Sequence, residues 1–374
     1  MSWAIWITGP PASGKSTLAR AVAEALTRDG GRACVLELDA MRRVVTPTPT
    51  YTDTERDLVY RALVWLASTL VDAGVPVIVD ATAHRREWRD LARAVIARFA
   101  EVQLCCAIDT CRARDAARAS GHARAGVYAR AGTAGAHVPG VDVEYEAATA
   151  PELLIDTERT PHDAAVTRIC DLARELPTAS DASATGNGWA IWIAGLPGSG
   201  KTTIASATAE ALGRYGVTAR VIELGDVLGF LGGCRYTPLA DLIAHRTLVY
   251  AAKVLTEAGR AVIVDATAPA RAWRELAREL IPRFAEVQLV CPAEVCATRE
   301  RAVRWRLMGC THTQPCRHDG APDIVLTYEP SLRPDATIRT DTGDAESAAA
   351  TVVRLARRLH RTPSGQRWTR TLAG

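Results

Sequence analysis

The chain alternates short apolar blocks with longer amphipathic ones. An apolar run at residues 4–8 predicts a strand; a glycine-rich turn follows, then a helix-forming stretch over 17–28. A second strand is predicted at 33–38 and a long amphipathic helix at about 54–73. The next run, 75–79, is apolar without interruption, as a strand covered on both faces should be. An Arg- and Ala-rich helix and a further strand at 101–107 complete the series. The same order returns with strands at 190–194, 219–224, 261–264 and 286–291 and helices at 203–214 and 240–258. Strands alternating with helices predict an α/β fold, a parallel sheet with helices on both faces.

The repetition reaches the residues themselves. Trp3-Ala-Ile-Trp-Ile-Thr-Gly9 returns as Trp189-Ala-Ile-Trp-Ile-Ala-Gly195, with six of seven positions identical. Residues 74–104 return as 259–289 with 22 of 31 identical. A period this long marks a duplicated domain. The boundaries read as one domain over 1–176, a small polar linker over 177–188, a second domain over 189–360 and a basic tail over 361–374.

Composition narrows the classes. With 48% hydrophobic residues over 374 positions, disorder and a disulfide miniprotein are excluded. A net charge of +3, and no basic aromatic-laced patch beyond Arg361 to Arg370, argue against a nucleic-acid partner. No apolar run approaches the length of a membrane span, and the first residues lack the basic region of a signal peptide, so a cytoplasmic protein is expected. Of the 45 basic residues only Lys15, Lys201 and Lys253 are lysine. Where lysine survives, chemistry that arginine cannot do is the first thing to look for.

Gly9-Pro-Pro-Ala-Ser13-Gly14-Lys15-Ser16 and Gly195-Leu-Pro-Gly-Ser199-Gly200-Lys201-Thr202 both match G-x-x-x-x-G-K-[ST], each between a predicted strand and a helix. The two domains are therefore predicted to be tandem P-loop NTPase domains. Glycines let backbone N–H groups cradle phosphates, and Thr17 and Thr203 continue the loop into the helix. The lysine reaches the β- and γ-phosphates of ATP, and Ser16 or Thr202 can hold Mg²⁺. Asp80 and Asp265 end the buried strands Val77-Ile-Val-Asp80 and Val262-Ile-Val-Asp265, near the expected metal or as helix caps. Asp39 in Glu37-Leu-Asp39-Ala-Met-Arg42, and Asp226 in Glu223-Leu-Gly-Asp226, stand across the crevice, as proton acceptors for an attacking hydroxyl or again as caps. Alanine follows both Asp80 and Asp265, which disfavours a motor ATPase.

These motifs resemble the adenylylsulfate kinase family, over about Trp3 to Thr157. Besides the loop and the Glu37–Arg42 segment, the likeness runs through Arg114-Asp115, Ala125-Gly-Val-Tyr128, Gly140-Val-Asp142-Val-Glu-Tyr145-Glu146 and Pro151-Glu-Leu to Asp156-Thr157. It departs at Glu37, at Ala125 and at Asp80-Ala-Thr, where the family has aspartate, lysine and Ser-Pro. The resemblance implies ATP and Mg²⁺ as cofactors and Asp39, Arg42, Arg61, Tyr128 and Asp142 as acceptor-side residues. It also implies dimers, so the halves could pair as an intramolecular pseudo-dimer or the chain as a homo-oligomer. The second half keeps Asp226, Arg246, Asp265 and Tyr328-Glu329, has Gly229 in place of Arg42, and replaces the lid. There Cys310, His312, Cys316 and His318 could close a zinc site, or be scattered chance residues. The lid arginines (Arg112, Arg114, Arg118, Arg124; Arg299, Arg301, Arg304, Arg306) suit a transferring phosphoryl group or a solvated face. The expected activity is phosphoryl transfer from ATP to a small-molecule hydroxyl, adenylylsulfate 3′-OH by resemblance. Another small alcohol, or an ATP-binding switch, remains open.

Overall fold

A computed structural model describes residues 2–117, 126–133, 136–176, 188–232, 237–308 and 328–362, with side chains 302–308 excluded. It divides into two units, each built on its own five-stranded sheet. In the first, β1 (Ala4–Thr8), β2 (Cys34–Glu37), β3 (Val77–Asp80), β4 (Phe99–Cys105) and β5 (Leu153–Asp156) are all parallel, in the order β2-β3-β1-β4-β5. The helices are α1 (Lys15–Arg28), α2 (Leu38–Val45), α3 (Asp53–Asp72), α4 (Arg86–Val95), α5 (Ile108–Ala116) and α6 (His162–Glu175). Every residue of β1 is buried, which is why that run carries no alternation. Trp3, Ile5 and Ile7 join a core with Leu18, Ala19 and Val22 of α1 and Ile169 and Cys170 of α6. Register places Ile7 and Glu37 on either side of Asp80, so the carboxyl ends of three strands open on one crevice.

The second unit repeats this plan. β6 (Trp189–Ala194), β7 (Ala219–Glu223), β8 (Ala261–Asp265), β9 (Phe284–Val290) and β10 (Ala336–Arg339) form a parallel sheet in the order β7-β8-β6-β9-β10. Its repeat carries α7 (Lys201–Gly213), α8 (Leu224–Phe230), α9 (Pro238–Glu257, of which only the part from Ala244 groups with this unit), α10 (Arg271–Leu280), α11 (Ala293–Met308) and α12 (Ala345–Arg361). No described helix is long and apolar enough to cross a membrane.

Two expected strands of the first unit run too far, and their repeats at 219–224 and 286–291 each end one residue early. The 33–38 run stops at Glu37 because Leu38 already opens α2, and β4 ends at Cys105. The helix expected from Thr17 begins at Lys15, because Gly14, in the left-handed region at φ 105°, caps it.

Each unit buries the same ion pair. Arg89 of α4 donates from Nε to Glu101 Oε1 of β4 at 2.6 Å, with side-chain exposures of 0% and 4%. Its remaining donors reach the carbonyls of Ala83 and Glu146. Arg274 does the same with Glu286 at 2.7 Å and the carbonyls of Ala268 and Glu329. Without Arg89 the buried Glu101 carboxylate keeps only the more distant Arg93, at 3.7 Å, so Arg89→Leu should destabilise the first unit by about 3–5 kcal/mol. Arg89→Leu with Glu101→Leu should recover much of that loss. Urea unfolding of the full chain, followed by tryptophan fluorescence, measures both; a loss under about 1 kcal/mol in the single variant would contradict this account.

Candidate active site

The first phosphate loop joins β1 to α1 with a backbone that tolerates no bulk. A Cβ on Gly9 would meet Ser13 Oγ at 2.8 Å and the Leu104 carbonyl at 2.9 Å. Ser13 is fully buried and its hydroxyl has no partner within the protein, an orphan inside the loop. No side chain caps α1, so its first amides stay free for an anion. Lys15 is buried and donates from Nζ to the carbonyls of Gly9 and Pro10 at 3.0 and 2.8 Å. Ser16 lies beside Asp80 on the same cavity wall. Burial pushes the Asp80 carboxyl above its usual range, Lys15 and Ser16 draw it back, and Glu37 and Asp39 raise it further. Asp80 caps no helix, since α4 begins at Arg86 and Arg85 is its cap. A hydroxyl beside a carboxylate is a hard oxygen set suited to Mg²⁺, and the bare loop suits phosphate. The residues fit ATP with Mg²⁺.

Beyond the loop lies a cavity of about 400 Å³ lined by Lys15, Ser16, Asp39, Asp80 and a cationic wall. Arg20 pairs with Glu37 at 2.8 Å. Arg42 is buried on Glu55 at 3.0 Å and lies over the Tyr51 ring at 5.2 Å. Arg56 donates to the Tyr51 carbonyl at 2.9 Å, and burial lowers its pKa. Tyr51 itself sits in the left-handed region at φ 56°, a conformation that needs such support. Tyr60 stacks on Trp88 at 4.0 Å, and His84 meets the same indole edge-on at 5.2 Å. His84 is pushed down to about 4 by burial, then by Arg56 and Arg85.

Three expected acceptor-side residues sit elsewhere. Arg61 pairs with Asp57 at 2.8 Å and does not line the cavity. Five residues along a helix turn the face by about 140°, so α3 presents Arg56 instead. Tyr128 donates its hydroxyl to the Pro11 carbonyl at 3.0 Å, bracing the loop from behind. Asp142 accepts from the amides of Gly132 and Val138 at 2.8 Å each, fastening the segment whose His137 and Val138 line the cavity. Thr17 is exposed on α1. Arg20, Arg56 and Arg130 line the cavity as cations that the sequence pattern did not single out. The signal was present: Arg20 is one turn from Ser16, and Arg56 one turn from Tyr60.

In the second unit Gly200 takes the left-handed cap at φ 92°, and a Cβ on Gly195 would lie 2.7 Å from Ser199 Oγ. Ser199 is again buried without a partner. Lys201 donates to the Leu196 carbonyl at 3.0 Å, and burial lowers its pKa. Thr202 donates to Asp265 at 2.5 Å; burial raises the Asp265 carboxyl. Thr203 is exposed. Asp226 is the third residue of α8 whereas Asp39 is the second of α2, and buried Val227 and Met41 share one register. Position for position, Leu228 therefore stands where Arg42 does, with Gly229 after it. Arg246 lies over Trp273 at 5.5 Å. Of the lid arginines, Arg114 and Arg299 tie down the carbonyls of Thr157 and Thr340, while Arg118, Arg124 and the side chains of Arg304 and Arg306 lie outside the described residues. Cys310, His312, Cys316 and His318 also lie outside them; among the described residues no His, Cys, Asp or Glu cluster could hold a metal.

The profile of the adenylylsulphate kinase family matches residues 1–156 and 187–303, well over half of the sequence. The chain belongs to the adenylylsulphate kinase family. A probable adenylyl-sulfate kinase of Archaeoglobus fulgidus is 34% identical over 159 residues, 42% of this chain and 98% of its own length. The adenylyl-sulfate kinase of Geotalea uraniireducens is 35% identical over 157 residues, 41% of this chain and 72% of its own. Among solved structures, the Mycobacterium tuberculosis APS kinase in complex with AMPPNP and APS is 31% identical over 46% of this chain and 98% of its own, with a TM-score of 0.41. This member of the adenylylsulphate kinase family is an ATP-dependent kinase. Its His84 carries a pH signature. A folded-state value of about 4 against an ordinary 6.5 means that the native unit binds fewer protons than the unfolded chain between those values. Stability should therefore fall as pH drops from 6.5 towards 4. His84→Asn should flatten that fall in urea midpoints; an unchanged slope would show that His84 titrates normally.

Proposed function

We propose that the first unit phosphorylates the ribose 3′-hydroxyl of adenylylsulfate, within a kinase domain spanning 1–176. The observation that carries the reading is one cavity joining the phosphate loop to Arg20, Arg42, Arg56 and the Tyr51 ring. Guanidinium groups suit a sulfate–phosphate anion, and an aromatic face suits a base.

ATP with Mg²⁺, when bound, supplies the transferable phosphoryl group and neutralises its charge. Lys15 and the loop amides would hold the phosphates, and Ser16 and Asp80 the metal. Asp39, exposed on the cavity wall, accepts the proton of the acceptor hydroxyl at its carboxylate. Glu55 keeps Arg42 oriented. Burial alone would raise the Glu55 carboxyl, but hydrogen bonds from Thr50 and Arg42 hold it below the usual range, so it stays ionised beside the guanidinium. In the second domain, over 189–360 beyond the 177–188 linker, Lys201, Thr202 and Asp265 take the corresponding roles, while Asp226 stands one helix residue beyond the place of Asp39.

Mass spectrometry of products from ATP and adenylylsulfate tests this. Lys15→Ala should lower 3′-phosphorylated product by about 100-fold or more, and Lys201→Ala by less than about threefold. No 3′-phosphorylated product from the unaltered chain would remove this acceptor.

A further inference from the structure

Each unit carries two cysteines in the same setting, where β4 runs into α5 and β9 into α11. Cys106 stands just before Ala107, which caps α5, and Cys111 is the fourth residue of that helix. Side chains at these two positions meet across a helix start, and an apolar pair normally fills them. Here both are sulfur. The Cys111 amide donates to the Ala107 carbonyl at 2.9 Å, which fixes the turn. In the second unit Cys291 and Cys296 flank Pro292 in the same way, with the Cys296 amide on the Pro292 carbonyl at 3.0 Å. All of the described cysteines are free thiols.

The two sulfurs of a pair are not equivalent. Cys106 is half-buried, and Arg114 donates to its Sγ at 3.4 Å, so the reachable sulfur has a cation beside it. Cys111 is fully buried, and burial, with Cys106 beside it, pushes its thiol up to about 12. In the second unit Arg299 donates to Cys291 at 3.7 Å, and burial, again with its neighbour, pushes Cys296 up to about 11. Cys105 faces the other side of its strand, where its sulfur accepts from Gln103 Nε2 at 3.9 Å. A reachable sulfur beside a cation, with a buried thiol behind it, is the arrangement of a disulfide-forming pair.

Both pairs stand directly behind a phosphate loop. Cys111 packs in one cluster with Ala12 of the loop and with Tyr128, whose hydroxyl holds the Pro11 carbonyl. Ala12 lies at φ 61°, a conformation that needs support from its surroundings. Its counterpart Gly198 lies at φ 75°, and a Cβ there would collide with the Cys296 carbonyl. A shift of the helix start at Cys111 or Cys296 therefore reaches the loop at once.

We propose that Cys106 with Cys111, and Cys291 with Cys296, are modification sites at which a low-molecular-weight disulfide closes an intramolecular disulfide that loosens the adjoining phosphate loop. The inference does not depend on which acceptor either loop serves. With glutathione disulfide as oxidant, the Cys106 thiolate attacks one of its sulfurs, and one glutathione thiolate leaves. Cys111 then attacks the Cys106 sulfur of this mixed disulfide, and its proton goes to the second glutathione thiolate as that leaves. Two protein thiols are oxidised by two electrons, and one glutathione disulfide is reduced to two thiols. Part of what keeps the Cys111 thiol protonated is Cys106 itself, and that part is lost once Cys106 is in the mixed disulfide. Closing the bond draws Cys111 out of its packing on Ala12 and Tyr128, which slackens the loop.

The full chain is equilibrated with mixtures of oxidised and reduced glutathione, its remaining thiols are blocked, and tryptic peptides 99–112 and 284–299 are sequenced by mass spectrometry. The first should carry a Cys106–Cys111 bond with Cys105 blocked, and the second a Cys291–Cys296 bond. A pair that stays reduced at the most oxidising ratio, stops at a glutathione adduct, or bonds through Cys105 overturns the proposal for its unit. ADP binding reads the coupling, in Lys201→Ala for the first loop and Lys15→Ala for the second. Oxidation should weaken it about fivefold or more, reversibly with dithiothreitol. Cys106→Ser, at a half-buried position, should abolish that response at the first loop, as Cys291→Ser should at the second. Equal ADP binding by oxidised and reduced chains would overturn the coupling, and so would a response that survives the serine substitution. A reduced chain that binds no ADP would remove nucleotide binding at the loop and the coupling with it.

Discussion

A guanidinium buried behind the sheet governs where each crevice sits. Arg89 brings together an oxygen of β4, the loop after β3 and the segment returning at Glu146. That loop is held at Ala83 with φ 41°, and its repeat at Ala268 with φ 44°, a region alanine rarely visits. Such backbone persists only where surrounding bonds over-determine it. The Tyr60 hydroxyl accepts from the Ala83 amide at 3.0 Å and Arg89 donates to the Ala83 carbonyl, so both ends of one peptide unit are fixed. Beside it hangs His84, part of the cavity wall. Burying a full charge costs solvation, and here that cost is offset by a carboxylate and two carbonyls meeting the rigid fork of arginine.

The crevice poses the opposite problem, because its charges must remain available to a ligand. Asp80 is nearly buried between a lysine and two acidic neighbours, and desolvation dominates its titration. A compact ammonium can approach it and the loop carbonyls together, which a planar guanidinium cannot do as readily. This gives a physical reason for lysine at 15 and 201 in a chain that otherwise uses arginine. Lys253 has a plainer setting, paired with Glu257 one turn along α9 at 2.6 Å.

Much of this was legible in the residue pattern, and the gaps have definite causes. β1 appears with the bounds its apolar run predicts, and both phosphate loops stand between strand and helix as their spacing requires. Lys15, Ser16, Asp39, Arg42 and Asp80 do converge on one cavity. The segment α2 was hidden because Leu38, apolar and adjacent to a strand, continues the alternation while its backbone has already turned. The strand β5 is four residues long with Leu154 exposed, too short and too mixed to announce itself. Arg61 and Arg56 show a different limit. Both lie on one helix, and only the rotation of that helix against the sheet decides which faces the crevice.

Duplication explains how one frame can carry two sets of crevice residues. The residues that set the frame lie inside: Trp6 donates to the Ala81 carbonyl and Trp192 to the Ala266 carbonyl, and the arginine–glutamate pair recurs at 2.6 and 2.7 Å. Arg20 and Arg42 instead stand on the crevice-facing turns of α1 and α2, and serine and leucine at the corresponding helix positions of the second unit leave both sheets with the same strand order. Core positions are constrained by packing and buried charge, whereas crevice positions are constrained by what binds there. A second copy can therefore vary its crevice-facing helix positions without disturbing the fold beneath them.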